Sequence, residues 1–408
     1  MENLALPPCQ IQIQLFPKAW IPRWYARCHH GHHYEFPLLS HLDEAISSMA
    51  KQIRYWLLIT LVLSLGFGQL LRFDLFGLPL YVHDILILCI LALQGLTLKE
   101  VLNPQTQRRE GQILQVGIFL FLLALGFSSI RALTLYPLSS LITPSLYMFR
   151  LLAYLSLYLV LKQSNLKIPL KYFLIGGMVQ LFIGLIQYSL MPDMRIFQYL
   201  GWDDHLSRLT LPHFDPTFTA VMLSLAALSF PQFFPIFLVG ILFTYSRSVW
   251  LSLIVTATSF IRPAKYLLVI PVFIIFILLL PKRFGEGTNL LRTFSISSRL
   301  ESDISYITKY KWDLIIGRGL NTLTLDVPVS TYDNHATGPN NSYLYLLTTT
   351  GILGLVGWGI FMKYLYTHST HKPMLMFFYI ASLFNNVMFY PFALLWVLVI
   401  EFMAPTSV

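Results

Sequence analysis

Long apolar runs with few charges recur along almost the whole chain, and they constrain its fold more than any other feature. A helix crossing hydrocarbon needs about 20 mostly apolar residues, because each backbone N–H and C=O must be satisfied within the segment. Runs of this kind predict spans at residues 56–71, 80–98, 113–130, 145–161, 172–190, 217–230, 233–245, 248–261, 266–280, 343–362, 373–389 and 391–402. The 408 residues are 56% hydrophobic and 12% charged, far more apolar than one soluble core requires. The expectation is an all-α, polytopic transmembrane bundle of about twelve spans.

Lysine and arginine set the predicted orientation, since short cytoplasmic loops carry the excess of positive charge. With the N-terminus inside, fifteen of the twenty-eight Lys and Arg residues fall in the N-terminal region or in short inner loops. Residues 1–54 are then a cytoplasmic region, 55–280 hold the first nine spans and 281–341 form a long extracytoplasmic loop. Residues 342–403 hold the last three spans, and 404–408 are an inner tail. The net charge of +9 is mostly inner-loop charge facing anionic headgroups, so no nucleic-acid role is assigned. Cys9 and Cys28 fall inside and Cys89 within a span, leaving no outer pair for a disulfide.

Within the N-terminal region, Leu42, Ile46, Met49 and Ile53 recur at helical spacing behind Ser40 and Asp43, which reads as an amphipathic helix on the inner surface. Cys28, His29, His30, His32 and His33 are a dense set of possible ligands, but their spacing fits no zinc pattern and no second pair follows. No metal and no cofactor is expected.

Charges in or beside a bilayer are costly and point to function unless they are paired. Arg150 sits inside a predicted span, and Arg247 lies at a span boundary in Thr244-Tyr245-Ser246-Arg247-Ser248. Arg195, Arg208, His213 and Asp215 precede the 217–230 span, and Arg292, Arg299 and Arg318 belong to the long loop. Arginines gathered on one face near lipid suit a phosphate or diphosphate, because guanidinium binds phosphate oxygens as a bidentate fork. The alternative is that they snorkel or pair with Asp203, Asp204, Asp303 or Asp313. In the loop, 297–314 reads as a helix and Ile315-Ile316-Gly317-Arg318-Gly319-Leu320 as a glycine turn. Asp333, Asn334, His335, Asn340 and Asn341 follow as a polar run, in which His335 is the candidate general base.

Four segments in this order resemble the O-antigen ligase and O-antigen polymerase superfamily of bacterial envelope glycosyltransferases. They are His213-Phe214-Asp215-Pro216, Tyr245-Ser246-Arg247-Ser248, Ser298-Arg299-Leu300 with the 315–320 turn, and Asn341 through Gly351-Ile352-Leu353-Gly354. The resemblance covers about residues 193–357. It implies a GT-C-like membrane fold in the bacterial plasma membrane. The implied reaction moves a glycan from an undecaprenyl diphosphate carrier to a hydroxyl of a glycan or lipid acceptor, without metal and with inversion. Arg247 and Arg299 are then the diphosphate ligands, with Arg208 and Arg150 as secondary candidates. His335, Asn340 and Asn341 are the candidate catalytic residues. The sequence departs from the family in one place: Asn340 stands where the family has its histidine, and an amide accepts no proton at neutral pH. A transporter or flippase of a lipid-linked or small anionic substrate is the alternative, weakened by the lack of an internal repeat.

Overall fold

A computed structural model describes residues 10–14, 23–27, 33–34, 37–75, 78–94, 109–163, 167–260, 274–275, 278, 280, 288–290, 294–326 and 338–404. Five helical stretches are long and apolar enough to cross a membrane: Ser48–Leu71, Gly111–Leu135, Leu138–Gln163, Lys171–Leu190 and Ser342–His368. The chain is a mostly helical membrane protein. Five more apolar helices are shorter: Val82–Gln94, Pro216–Ser229, Pro231–Phe243, Lys372–Ala381 and Pro391–Ile400. At about 1.5 Å per residue a fourteen-residue helix reaches roughly 21 Å, less than the roughly 30 Å hydrocarbon layer. Of the twelve expected spans, five therefore correspond to helices of full spanning length, and the 266–280 run lies largely outside the described residues.

The helices in chain order are α1 (Pro37–Ser64), α2 (Val82–Gln94), α3 (Arg109–Leu135), α4 (Ile142–Gln163), α5 (Lys171–Leu190), α6 (Pro216–Ser229) and α7 (Phe234–Phe243). They continue as α8 (Arg247–Phe260), α9 (Phe294–Lys309), α10 (Asp313–Ile316), α11 (Ser342–His368), α12 (Lys372–Ala381) and α13 (Pro391–Ile400). The chain is mostly helical, as expected, with a little sheet besides. Strands β1 (Gln10–Gln14), β2 (Arg23–Arg27) and β3 (His33–Tyr34) form an antiparallel sheet in the N-terminal region. β4 (Arg72–Leu75) pairs with β5 (Leu78–Tyr81) as a hairpin, and β6 (Ile168–Pro169) with β7 (Met403–Ala404) in parallel. Gln10-Ile11-Gln12-Ile13-Gln14 alternates polar and apolar residues, a period-2 pattern that favours a strand. The amphipathic segment read at 40–54 is not a separate helix. No Gly or Pro interrupts residues 38–64, so α1 continues from it into the first long apolar stretch.

The two ends of the bundle gather the loops that charge counting assigns to opposite sides. At one end β6 pairs with β7, Lys162 donates to the Tyr364 hydroxyl at 2.6 Å and Ser369 to Glu401. At the other, Gln69 N–H donates to Pro212 O at 2.9 Å, Arg150 binds Asp84 and Asn385 donates to Ser248 Oγ at 3.1 Å. The short helices α6 and α13 are buried along almost their whole length, as helices apolar all round must be. α3 instead carries an exposed apolar stripe, Ile113, Val116, Phe119, Leu123, Phe127 and Ile130, at the spacing of one helix face. That face suits lipid. Its other face meets α11 at Gly117 and Gly357, where a Cβ on Gly357 would lie 2.6 Å from Phe121 N. Small residues let the two backbones approach this closely.

α11 breaks at Gly351, whose φ of 74° and ψ of −177° are non-helical. The break releases the carbonyls of Thr348 and Thr349 from the helix ladder, and the glycine turn after α10 takes them. Arg318 N–H donates to Thr348 O at 3.1 Å and Gly319 N–H to Thr349 O at 2.9 Å. A Cβ on Gly351 would collide with Ile315 O, and one on Gly317 (φ 88°) would lie 2.6 Å from Thr349 O. Gly351→Ala is expected to lower the thermal unfolding midpoint, at a cost of about 1–3 kcal/mol for the strained backbone alone. Gly359→Ala, in the same helix with nothing within 4 Å of the added Cβ, is expected to be neutral or to stabilise by up to about 1 kcal/mol. Thermal unfolding of both variants in detergent checks the pair.

Candidate functional site

Helices that run away from the Gln69–Pro212 end begin there, so their N-terminal N–H groups and positive dipole ends collect at that end. Three of them, α6, α8 and α11, start around one cavity of about 400 Å³. Arg208, Arg247, Arg299 and Asn340 line it, together with Thr217, Ser246, Ser248 and Asp303.

Each wall is locally fixed. Asp215 caps α6 by accepting from Thr217 N–H at 2.6 Å and Phe218 N–H at 2.9 Å, and Pro216 occupies the first helical position, where no N–H is needed. Gln187 holds the preceding loop, donating to Arg208 O at 3.2 Å and accepting from Thr210 N–H at 2.9 Å. Arg208, almost fully buried, donates from Nε to Thr244 O at 2.8 Å. Tyr245 takes a left-handed φ of 53° that turns the chain sharply from α7 into α8. Such strain in a non-glycine residue is characteristic of functional sites. Arg247 then opens α8 and donates to Leu290 O at 2.9 Å. Arg299, on α9, donates to Phe384 O at 3.2 Å. These carbonyls help to aim the three guanidinium groups.

Two further groups face this positive field. Ser246 Oγ is buried without a hydrogen-bond partner, as is Asp303 Oδ1. Burial raises the Asp303 carboxyl above the ordinary carboxylate range, while the Arg299 charge one helical turn away pulls it down. Sequence reasoning placed Asp303 only among possible ion-pair partners. The spacing Arg299-x-x-x-Asp303, which puts both on one helix face, was the available signal.

The other candidates lie elsewhere. Asn341 caps α11, its Oδ1 accepting from Tyr343 N–H at 2.9 Å and Leu344 N–H at 3.2 Å. Arg150 lines a separate cavity and is held by Asp84, with Nε 3.1 Å from both carboxylate oxygens. His335, and the Cys28 to His32 part of the histidine-rich run, lie outside the described residues. Arg318 is a structural tie: it binds Asp326 at 2.8 and 3.1 Å, Asp313 at 3.1 Å and the Tyr136 hydroxyl at 2.6 Å. Arg131 adds a second bridge to Asp313. Burial works to raise Asp326, but the bonds from Arg318, Tyr310 and Tyr136 keep it below the usual carboxylate range.

Asp203, His205 and Asp215 bring one possible ligand atom each within 4.8 Å of one another. Asp215 already spends an oxygen on the α6 cap, and the nearby Arg208 charge acts against a cation there. No protein-family model matches the sequence, and no curated protein or solved structure is significantly similar to it.

The two classes of arginine should separate experimentally. Arg318→Ala is expected to destabilise by on the order of 2–3 kcal/mol, because it leaves the largely buried Asp326 without its cation and removes one of the two bridges to Asp313. Inorganic pyrophosphate is expected to raise the thermal midpoint of the wild type and of Arg150→Lys, but not of Arg247→Ala or Arg299→Ala. Thermal unfolding with and without pyrophosphate gives both results.

Proposed function

We propose that the chain is a membrane glycosyltransferase of the O-antigen ligase or polymerase type, GT-C-like in fold, with the arginine cavity open to the extracytoplasmic side of a bacterial plasma membrane. The convergence of Arg208, Arg247 and Arg299 on one cavity, at the starts of three helices, carries this reading. A diphosphate bound there meets charge-assisted hydrogen bonds worth about 1.5–3 kcal/mol each, in surroundings that screen little.

Arg247 and Arg299 bind the diphosphate of an undecaprenyl-linked glycan, with Arg208 behind them. The acceptor hydroxyl oxygen attacks the anomeric carbon from the side opposite the diphosphate. The new C–O bond forms as the bond from anomeric carbon to phosphate oxygen breaks, and the carrier diphosphate leaves with the electron pair. This single displacement inverts the anomeric centre. The arginines stabilise the departing charge as preorganised electrostatic catalysts, a role that needs no metal. Asn340 orients the acceptor hydroxyl. Asp303, rather than an amide at position 340, has a carboxylate to take its proton, and its raised affinity for protons suits a general base.

Reconstituted vesicles given a labelled carrier-linked glycan and acceptor test the proposal. Transfer of label to acceptor is expected in the wild type, and it should persist in a chelator. Arg247→Ala, Arg299→Ala and Asp303→Asn should each reduce it at least about 100-fold, the usual scale for losing one preorganised group or a general base. Label that only crosses the bilayer would instead identify a transporter or flippase.

A further inference from the structure

The cavity that contains Arg150 has a chemistry different from the arginine site. It holds about 250 Å³, below the roughly 300–1,000 Å³ of sites for drug-sized ligands. Its cation is already neutralised: Asp84 takes Arg150 in a bidentate pair and accepts from the Tyr154 hydroxyl at 2.8 Å. The guanidinium also lies 5.0 Å from the centre of the Tyr81 ring and 5.2 Å from that of Tyr147. An anion placed here would meet the Asp84 carboxylate as well as the arginine.

What the cavity offers instead is aromatic surface and amides. Tyr81, Tyr147 and Tyr345 are among its aromatic walls, and Gln69, Asn321 and Asn386 contribute amide groups. The oxygens Gln69 Oε1 and Asn386 Oδ1 are both buried without a hydrogen-bond partner. A buried amide oxygen left unsatisfied costs about 1–3 kcal/mol, so each stands as an acceptor waiting for a donor. A ligand that brings several hydroxyl donors on a compact frame with apolar faces would satisfy both the amides and the rings.

This cavity and the arginine cavity also share two walls. On the first turn of α6, Thr217 lines the arginine site and Phe218 the tyrosine site. In the loop after α12, Phe384 lines the first and Asn386 the second. Neighbouring residues thus face a cationic compartment on one side and a neutral one on the other.

We propose that the Arg150 cavity is a saccharide subsite that holds one uncharged sugar ring of the glycan beside the diphosphate compartment. The ring stacks on tyrosine, and its hydroxyls donate to Gln69 and Asn386. Arg150 serves as a fixed donor rather than as a phosphate ligand. The inference deepens the glycosyltransferase reading and rests on it for the class of ligand.

The test is saturation-transfer NMR on the full chain in nanodiscs, with the methyl glycosides of glucose, galactose, mannose, rhamnose and N-acetylglucosamine as probes. At least one glycoside should receive saturation from the wild type. Asn386→Leu and Tyr147→Leu should each weaken that signal at least about fivefold, the scale of losing one stacking or hydrogen-bonding partner. Gly359→Ala, remote from both cavities, should leave it unchanged. Two variants in different elements guard against one that fails to fold. The proposal is overturned if no glycoside is saturated, or if the signal survives both substitutions at full strength. Sugar binding without glycan transfer would keep the subsite and remove the catalytic reading. Transfer without sugar binding would do the reverse.

Discussion

The docking of the Gly317–Gly319 turn into the break of α11 at Gly351 is the contact on which the site end of the bundle depends. A membrane helix cannot leave carbonyls unsatisfied, so breaking α11 requires another segment of chain to supply N–H groups. The N–H groups of Arg318 and Gly319 do so. The same contact anchors the loop that carries α9 and Arg299. Gly317 and Gly351 both have positive φ, and a Cβ on either would meet the backbone of the other segment. The spacing between the glycine turn and Gly351 is thus a packing requirement before it is a functional motif.

Charge near lipid provides the second constraint, and the chain meets it in two ways. Arg150 and Arg318 are held by carboxylates: Arg150 reaches Asp84, distant in sequence, while Arg318 binds the nearby Asp313 and Asp326 and reaches a distant segment at the Tyr136 hydroxyl. Arg208, Arg247 and Arg299 donate to the backbone carbonyls of Thr244, Leu290 and Phe384 around a shared cavity. The first arrangement contributes stability and order. The second gathers three guanidinium groups, with Asp303, around one cavity at helix N-termini.

Much of this was legible in the sequence, because lipid imposes a strong pattern. The long apolar runs were legible as the five long helices, and the rarity of charge near such runs drew attention to Arg208, Arg247 and Arg299, which line one cavity. Length was less legible. The 373–389 run reads as one span but its helix ends at Ala381, whereas the 217–230, 233–245 and 391–402 runs are about as short in the sequence as the helices they form. The strands at 10–14 and 23–27 are short and polar, and were obscured by a reading tuned to helical spacing. The role of Arg150 could not be read locally, since its partner Asp84 is 66 residues away. Asn341 reads as catalytic by position, but its side chain is committed to the α11 cap. Asp303 stood four residues from a chosen arginine, yet only the fold shows that both face the same cavity.

The central claim is that the arginine cavity, and not the Arg150 cavity, receives a lipid diphosphate. Its most direct test is an electron cryo-microscopy structure of the full chain in nanodiscs with farnesyl diphosphate, a short polyprenyl analogue of the carrier. The account predicts diphosphate density within about 3 Å of the Arg247 and Arg299 guanidinium groups. Density for the diphosphate at Arg150, or none at the arginine cavity at saturating ligand, would contradict it.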